Sequence, residues 1–321
     1  MKLSKINKPR ILLVGAGKFG WKHLLVWQKL ASRGLVTFVG VVVRDPVIRK
    51  KVGALKVPVF SKLTDEILKT VDAVDIVTPA GTHFDLAKEC LIHTNVFLEK
   101  PMTLSAQEAR ELNQIAAEKN RYLALGHIYR FNGAIQKLKK IMAASPTKPF
   151  FIESTFVDIP SKLPNDCGIL FSDLHGFDIL DYLLESSPEL IYAIGSRRSA
   201  TERFENNATV LLRYPNHVDA VVKLSWTAVP KTRSMTILFP DKRIFVDLAD
   251  QIITVTTLRG IKKIGCFKTM PLEAELANFV EVLKNKPVVY ADGTVGLRLV
   301  HLTKEIERSY RENRPISFHS L

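Results

Sequence analysis

Short apolar runs alternate with amphipathic stretches through the first third of the chain. Residues 11–14, 35–43, 73–77, 95–98 and 122–125 are rich in β-branched and other apolar side chains and predict strands. Between them, residues 22–31, 84–93 and 105–119 repeat apolar side chains at i, i+3 and i+4, the period of a helix buried on one side. Such alternation predicts right-handed βαβ crossovers and a parallel sheet with helices on both faces. After Pro149 the pattern changes. Residues 150–157, 190–195, 208–213, 218–225, 232–239, 243–247 and 252–257 read as successive strands separated by turns, which predicts a large, mostly antiparallel sheet. Residues 272–283 and 294–313 predict two closing helices. The expected organisation is an α/β domain over residues 1–124 and an α+β domain over residues 125–321.

Composition narrows the class without changing that picture. The 321 residues are 46% hydrophobic and 24% charged, which is ordinary globular usage and argues against a disordered or fibrous chain. No apolar run approaches the ~20 residues that cross a bilayer. The apolar stretch at 11–14 is too short for a signal peptide, and Lys18 follows it, so a soluble cytoplasmic protein is expected. Cys90, Cys167 and Cys266 form no C-x-x-C pair, which predicts reduced thiols and no zinc site. The net charge of +14 raises the question of an anionic partner. Its basic residues are scattered, with only short clusters such as Arg49-Lys50-Lys51 and residues 137–140, as on a solvated surface. With no RNA-binding strand motif, zinc finger or concentrated basic stripe, no nucleic-acid partner is expected.

Candidate chemistry begins at the first turn. Gly15-Ala16-Gly17-Lys18-Phe19-Gly20 is a G-x-G-x-x-G between a predicted strand and a predicted helix. Gly15 permits the tight turn, Gly17 admits a pyrophosphate to the backbone, and Gly20 allows close helix–strand packing, with Lys18 and Phe19 completing the loop. A dinucleotide cofactor is expected. At the end of the second strand, Val43 stands where an NAD-specific protein places an acid, and Arg44 follows. Arginine there pairs with a 2′-phosphate, which favours NADP over NAD; the other reading has Asp45 reaching a ribose hydroxyl.

Four further segments follow in order: Thr78-Pro79 with His83; Val96-Phe97-Leu98-Glu99-Lys100-Pro101; Gly126-His127-Ile128-Tyr129-Arg130-Phe131-Asn132; and His175-Gly176-Phe177-Asp178. With the glycine loop they resemble the glucose-fructose oxidoreductase / inositol dehydrogenase / rhizopine catabolism (Gfo/Idh/MocA) family over essentially the whole chain. Later stretches, Ser225-Trp226, Pro230-Lys231-Thr232-Arg233, Val246-Asp247 and Pro271-Leu272-Glu273, resemble one branch, the nucleotide-sugar 3-dehydrogenases acting on substrates such as UDP-N-acetylglucosamine.

The resemblance implies a Rossmann domain followed by a sheet-rich domain through which copies of the chain associate. It also implies hydride transfer between NAD or NADP and a hydroxyl or ketone of a sugar-like substrate, with no metal. Lys100 would hydrogen-bond the reacting oxygen. Glu99, Thr78, Pro79 and His83 would lie on the nicotinamide side. The family's D-x-x-x-H motif is disturbed here: one alignment puts Phe171 at the aspartate position, the other puts Phe177 at the histidine position. His175 is the preferred proton acceptor, with Asp173 or Asp178 as its carboxylate partner. Trp226 belongs to the implied substrate site with Lys100 and His175. Arg130, Lys231 and Arg233 would hold a substrate diphosphate. Two alternatives stand beside this reading, a dehydrogenase of neutral polyols and a non-catalytic dinucleotide-sensing regulator.

Overall fold

The apolar run Ile11-Leu12-Leu13-Val14 is fully or almost fully buried, as expected of a central strand that helices cover on both faces. The computed structural model describes residues 8–160, 163 and 166–319. Along the first part of the chain the elements are β1 (Arg10–Val14), α1 (Gly20–Ser32), β2 (Thr37–Val42), α2 (Pro46–Gly53), β3 (Val59–Phe60), α3 (Asp65–Leu68), β4 (Ala73–Ile76), α4 (His83–His93), β5 (Asn95–Glu99), α5 (Ala106–Glu118) and β6 (Leu123–Gly126). There follow α6 (Gly133–Ala143), β7 (Phe151–Val157), α7 (Ile169–Ser172), α8 (His175–Leu184), β8 (Leu190–Ser196), β9 (Asn207–Tyr214) and β10 (Val218–Ser225). The chain continues through β11 (Thr232–Leu238), β12 (Arg243–Asp247), β13 (Ile252–Thr257), β14 (Gly260–Ile264), α9 (Pro271–Leu283), α10 (Gly293–Glu312) and β15 (Ile316–Ser317).

Two units result. The first comprises Met1–His127 and Leu272–Leu297, the second Ile128–Pro271 and Arg298–Leu321. The division is therefore not one cut at 124/125. Helix α9 explains the difference: its Leu276, Phe279, Val280 and Leu283 are buried with Ile11, Trp27 and Phe97 in the core of the first unit. Phe279 packs on Phe97 with ring centroids 5.4 Å apart. A hydrophobic stripe shows that a helix is buried but not which sheet buries it.

In the first unit the strands are parallel in the order β3-β2-β1-β4-β5-β6. The order reverses between β1 and β4, so their carboxyl ends, at Val14 and Ile76, flank the crevice where open α/β sheets bind ligands. In the second unit the order is β14-β13-β12-β11-β7-β10-β9-β8-β15. Its pairs are antiparallel except β7 with β10. Strands β7 and β10 alternate strictly. Ile152, Ser154 and Phe156 of β7 and Val218, Ala220, Val222 and Leu224 of β10 are buried. Helices α7 and α8 lie on this sheet, whereas Leu190, Ile194 and Leu211 are exposed.

Candidate functional site

The glycine loop is built as its spacing requires. Gly15 has φ +97°, and a Cβ there would overlap the Val77 carbonyl oxygen. A Cβ on Gly20 would overlap the Gly15 carbonyl oxygen, so α1 starts against the turn itself. A Cβ on Gly17 would meet nothing within 4 Å. That open backbone faces the start of α1, whose N-cap, Phe19, supplies no side-chain acceptor. An uncapped helix N-terminus beside open glycine backbone suits an anion, so these residues fit a dinucleotide pyrophosphate. At the end of β2 the Asp45 carboxylate is engaged locally: it caps α2, accepting from the Val47 N–H at 2.8 Å and the Ile48 N–H at 3.2 Å, with Pro46 in the first turn. Arg44 is exposed and makes no hydrogen bond or ion pair among the described residues.

Lys100 directly follows β5, next to β4 in the sheet. Its backbone N–H donates to Glu99 Oε2 at 3.1 Å, and its peptide bond to Pro101 is cis. The His83 ring bridges the segments that follow β4 and β5: Nδ1 lies 2.7 Å from the Pro101 carbonyl oxygen and Nε2 2.9 Å from that of Thr78. Carbonyl oxygens only accept, so a ring making both bonds donates from both nitrogens. Thr82 Oγ1 lies 2.8 Å from both Thr78 Oγ1 and the Pro79 carbonyl oxygen, which pins the rest of that turn.

One buried residue of this unit carried no mark in the sequence reading. His23, on the inner face of α1, places Nδ1 2.8 Å from Asp75 Oδ2 and Nε2 3.4 Å from Glu99 Oε1. A histidine on the same helical stripe as Leu24, Trp27 and Leu30, and an aspartate inside an otherwise apolar buried strand, were the available signals.

In the second unit His175 is the first residue of α8. A Cβ on Gly176 would come within 2.8 Å of Val222 Cγ1, so glycine lets this end of α8 settle onto the sheet. The His175 ring then stands edge-on to Tyr129, centroids 4.8 Å apart, and 5.8 Å from Phe156. Its Nε2 is 4.0 Å from Asp173 Oδ1. Asp173 Oδ2 in turn is 3.5 Å from the Arg233 guanidinium, which lies over the Phe156 ring and 3.6 Å from Asp158. Burial pushes the Tyr129 hydroxyl up to about 12, Arg233 opposing and Asp173 adding to it.

Two expectations need correction. Asp178, the other candidate partner of His175, is fully buried against Arg130, whose Nε donates to it at 2.7 Å. Burial pushes its carboxyl up to about 6 despite that guanidinium. Arg130 was expected to hold substrate phosphate. Its fork is instead taken by Asp178 and, at 2.8 Å, Asp181, which Arg298 also pairs, so it ties the segment before α6 to α8. Asp173 is the carboxylate beside His175. Trp226 is buried just after β10, and its backbone N–H donates to the Asn206 carbonyl. Lys231 is largely exposed and pairs with Asp158 at 2.9 Å.

Comparison with known proteins matches residues 9–127 to an oxidoreductase family described as having an NAD-binding Rossmann fold, under the name GFO_IDH_MocA. Residues 166–245 match the GFO/IDH/MocA C-terminal domain. The chain is 28% identical over 254 residues to UDP-N-acetylglucosamine 3-dehydrogenase of Acidithiobacillus ferrooxidans, covering 74% of this chain and 78% of that one. The solved structure of that dehydrogenase, GnnA, superposes with a TM-score of 0.85 at 25% identity, covering 96% and 99% of the two chains. The NAD(+)-type scyllo-inositol 2-dehydrogenase of Bacillus subtilis is 27% identical over 329 residues, covering 91% and 92%.

Proposed function

Because the chain belongs to the Gfo/Idh/MocA family of oxidoreductases, we propose that it transfers hydride at a ring carbon of a nucleotide-linked sugar, with Lys100 on the reacting oxygen and His175 exchanging its proton. In broader terms it is an NAD-dependent dehydrogenase of sugar-, polyol- or nucleotide-sugar-type hydroxyl groups. The observation that carries the reading is Lys100 at the carboxyl end of β5, in a sheet whose first turn is an open glycine loop.

When bound, the nicotinamide supplies the hydride acceptor or donor. The backbone at Gly17 and the start of α1 hold the pyrophosphate. The Lys100 ammonium donates to the substrate oxygen and stabilises negative charge developing there. Asp173 orients the His175 imidazole and stabilises the imidazolium that forms when it accepts the hydroxyl proton.

Arg233 and Lys231 support the nucleotide-sugar level of this reading. The Arg233 pairs at 3.5 and 3.6 Å are longer than direct hydrogen bonds, so a phosphate competes for its donors on better terms than at Arg130. The test is a screen of cofactor reduction with UDP-N-acetylhexosamines, inositols and neutral sugars. A UDP-sugar is expected to give the highest kcat/KM, and Arg233→Ala to lower it about tenfold, the worth of one charged hydrogen bond. A neutral sugar turning over faster, with Arg233→Ala unaffected, selects the polyol reading, which the length of the match to scyllo-inositol 2-dehydrogenase favours.

The same reading extends to the ribose. Arg44 is exposed while Asp45 is engaged in capping α2, which supports NADP over NAD. Arg44→Ala is expected to weaken NADPH binding about tenfold or more and to leave NADH binding within about twofold. Fluorescence titration of both measures it. An equal effect on the two cofactors removes Arg44 from 2′-phosphate recognition.

A further inference from the structure

His23, Asp75 and Glu99 form a fully enclosed cluster beneath the carboxyl ends of β4 and β5, with His23 and Asp75 at 0% exposure and Glu99 at 5%. Every neighbour of the imidazole has a recognisable part. From β4, Asp75 Oδ2 sits 2.8 Å from Nδ1 and also accepts from Trp27 Nε1 at 2.6 Å. From β5, Glu99 Oε1 is 3.4 Å from Nε2, and the Phe97 ring lies 6.2 Å away. From the glycine loop, Phe19 presents its ring edge-on at 5.0 Å. Burial alone would pull the imidazole down, but Asp75 and Glu99 outweigh it and push the group from 6.5 up to about 10. The ring is then a cation between two carboxylates, donating from Nδ1 to Asp75 and facing Glu99 from Nε2 at ion-pair distance.

Glu99 is held from the far side as well. It pairs in register with Gly126 of β6, and a Cβ at 126 would overlap its carboxylate. Glycine there lets the Glu99 side chain fold back across the strand ends, with Oε1 toward His23 and Oε2 accepting the Lys100 N–H at 3.1 Å. The same carboxylate thus touches the buried cation and the backbone of the next residue.

We propose that His23 is a positioning residue for Lys100: it fixes the Glu99 carboxylate, and Glu99 fixes the Lys100 backbone amide. The catalytic consequence rests on the reading of Lys100 given above, whereas the chain of contacts does not. A misplacement of about 1 Å in a reacting group costs on the order of 10²-fold in rate.

The test replaces His23 by leucine, which carries no charge to pair with Glu99. Because that leaves two buried carboxylates without their cation, a second variant, His23→Leu with Asp75→Asn, removes one carboxylate as well and restores the cluster's net charge of −1. Either folded variant serves. Hydrogen exchange is read at the single amides of Lys100 and Leu98, together with the Kd for NADH and the steady-state kinetics. Lys100 is expected to exchange at least about tenfold faster with Leu98 unchanged, kcat to fall about 10–100-fold, and the Kd for NADH to stay within about threefold. A purely structural role would speed exchange at Leu98 and Lys100 alike and scale with the loss of thermal stability. Unchanged exchange at Lys100 overturns the proposal whatever the activity. A wild-type protein that oxidises no sugar or polyol overturns the functional reading instead, and the exchange result still decides the role of His23.

Discussion

Lys100→Ala is expected to lower kcat for hydride transfer by about 10²–10⁴-fold, the usual worth of a positioned proton-handling group. The loss should fall on kcat and not on folding, because Lys100 lies beyond the last residue of β5, outside the apolar core. Lys100 is half-buried, and the Glu99–Lys100 backbone bond survives the substitution. NADH affinity should change little, since the proposed pyrophosphate site is the glycine loop and the start of α1. Steady-state kinetics with the best substrate, a thermal melt and an NADH titration measure the three quantities. Turnover near that of the wild type would mean that the lysine does not act on the reacting oxygen.

His175→Ala is expected to remove a similar factor and, with it, a limb of the pH profile. The sign follows from the direction of reaction. Oxidation of an alcohol needs a neutral imidazole to take the proton, so its rate rises with pH as the imidazolium is lost. Reduction of the ketone needs the imidazolium, so its rate falls across the same range. Both limbs should vanish in the alanine variant. Asp173→Asn should keep the limb and move it to lower pH, because the neighbouring carboxylate favours the charged ring. Asp178→Asn should leave the pH limb in place, because Asp178 is engaged by Arg130 at 2.7 Å whereas Asp173 lies 4.0 Å from the His175 ring. A profile unchanged in His175→Ala would transfer the proton to Asp173.

The two units were unequally legible. Strands β1, β2, β4, β5 and β6 could be read because buried strands show as apolar runs, whereas β3, two half-buried residues long, leaves no such run. The glycine loop could be read because each of its three constraints acts on its own residue: a positive φ at Gly15, open space at Gly17 and a close approach at Gly20. The alternation of β9 and β10 was equally plain. Strand β14 was invisible: four of its five residues are exposed, and its backbone pairing with β13 leaves no hydrophobic pattern. Helix α6 carries a local signal, with Ile135, Leu138 and Met142 on one face behind the Asn132 cap. The parallel pairing of β7 with β10 could not be read, since alternation is the same for either direction of a neighbour.

The site divides along the same line. Glycine spacing, the strand-end lysine and the histidine that opens α8 are local, because backbone conformation and helix or strand ends depend on adjacent residues. By itself the sequence determined an α/β cofactor-binding sheet, an antiparallel companion and the residue types that handle protons. Tertiary structure decided the pairings. It turned Asp173 rather than Asp178 toward His175, closed the Arg130 fork on Asp178 and Asp181, gave α9 to the first sheet, and enclosed His23 between Asp75 and Glu99. A buried charge must find its partner across space, and the partner's distance along the chain leaves no trace in the residues that flank it.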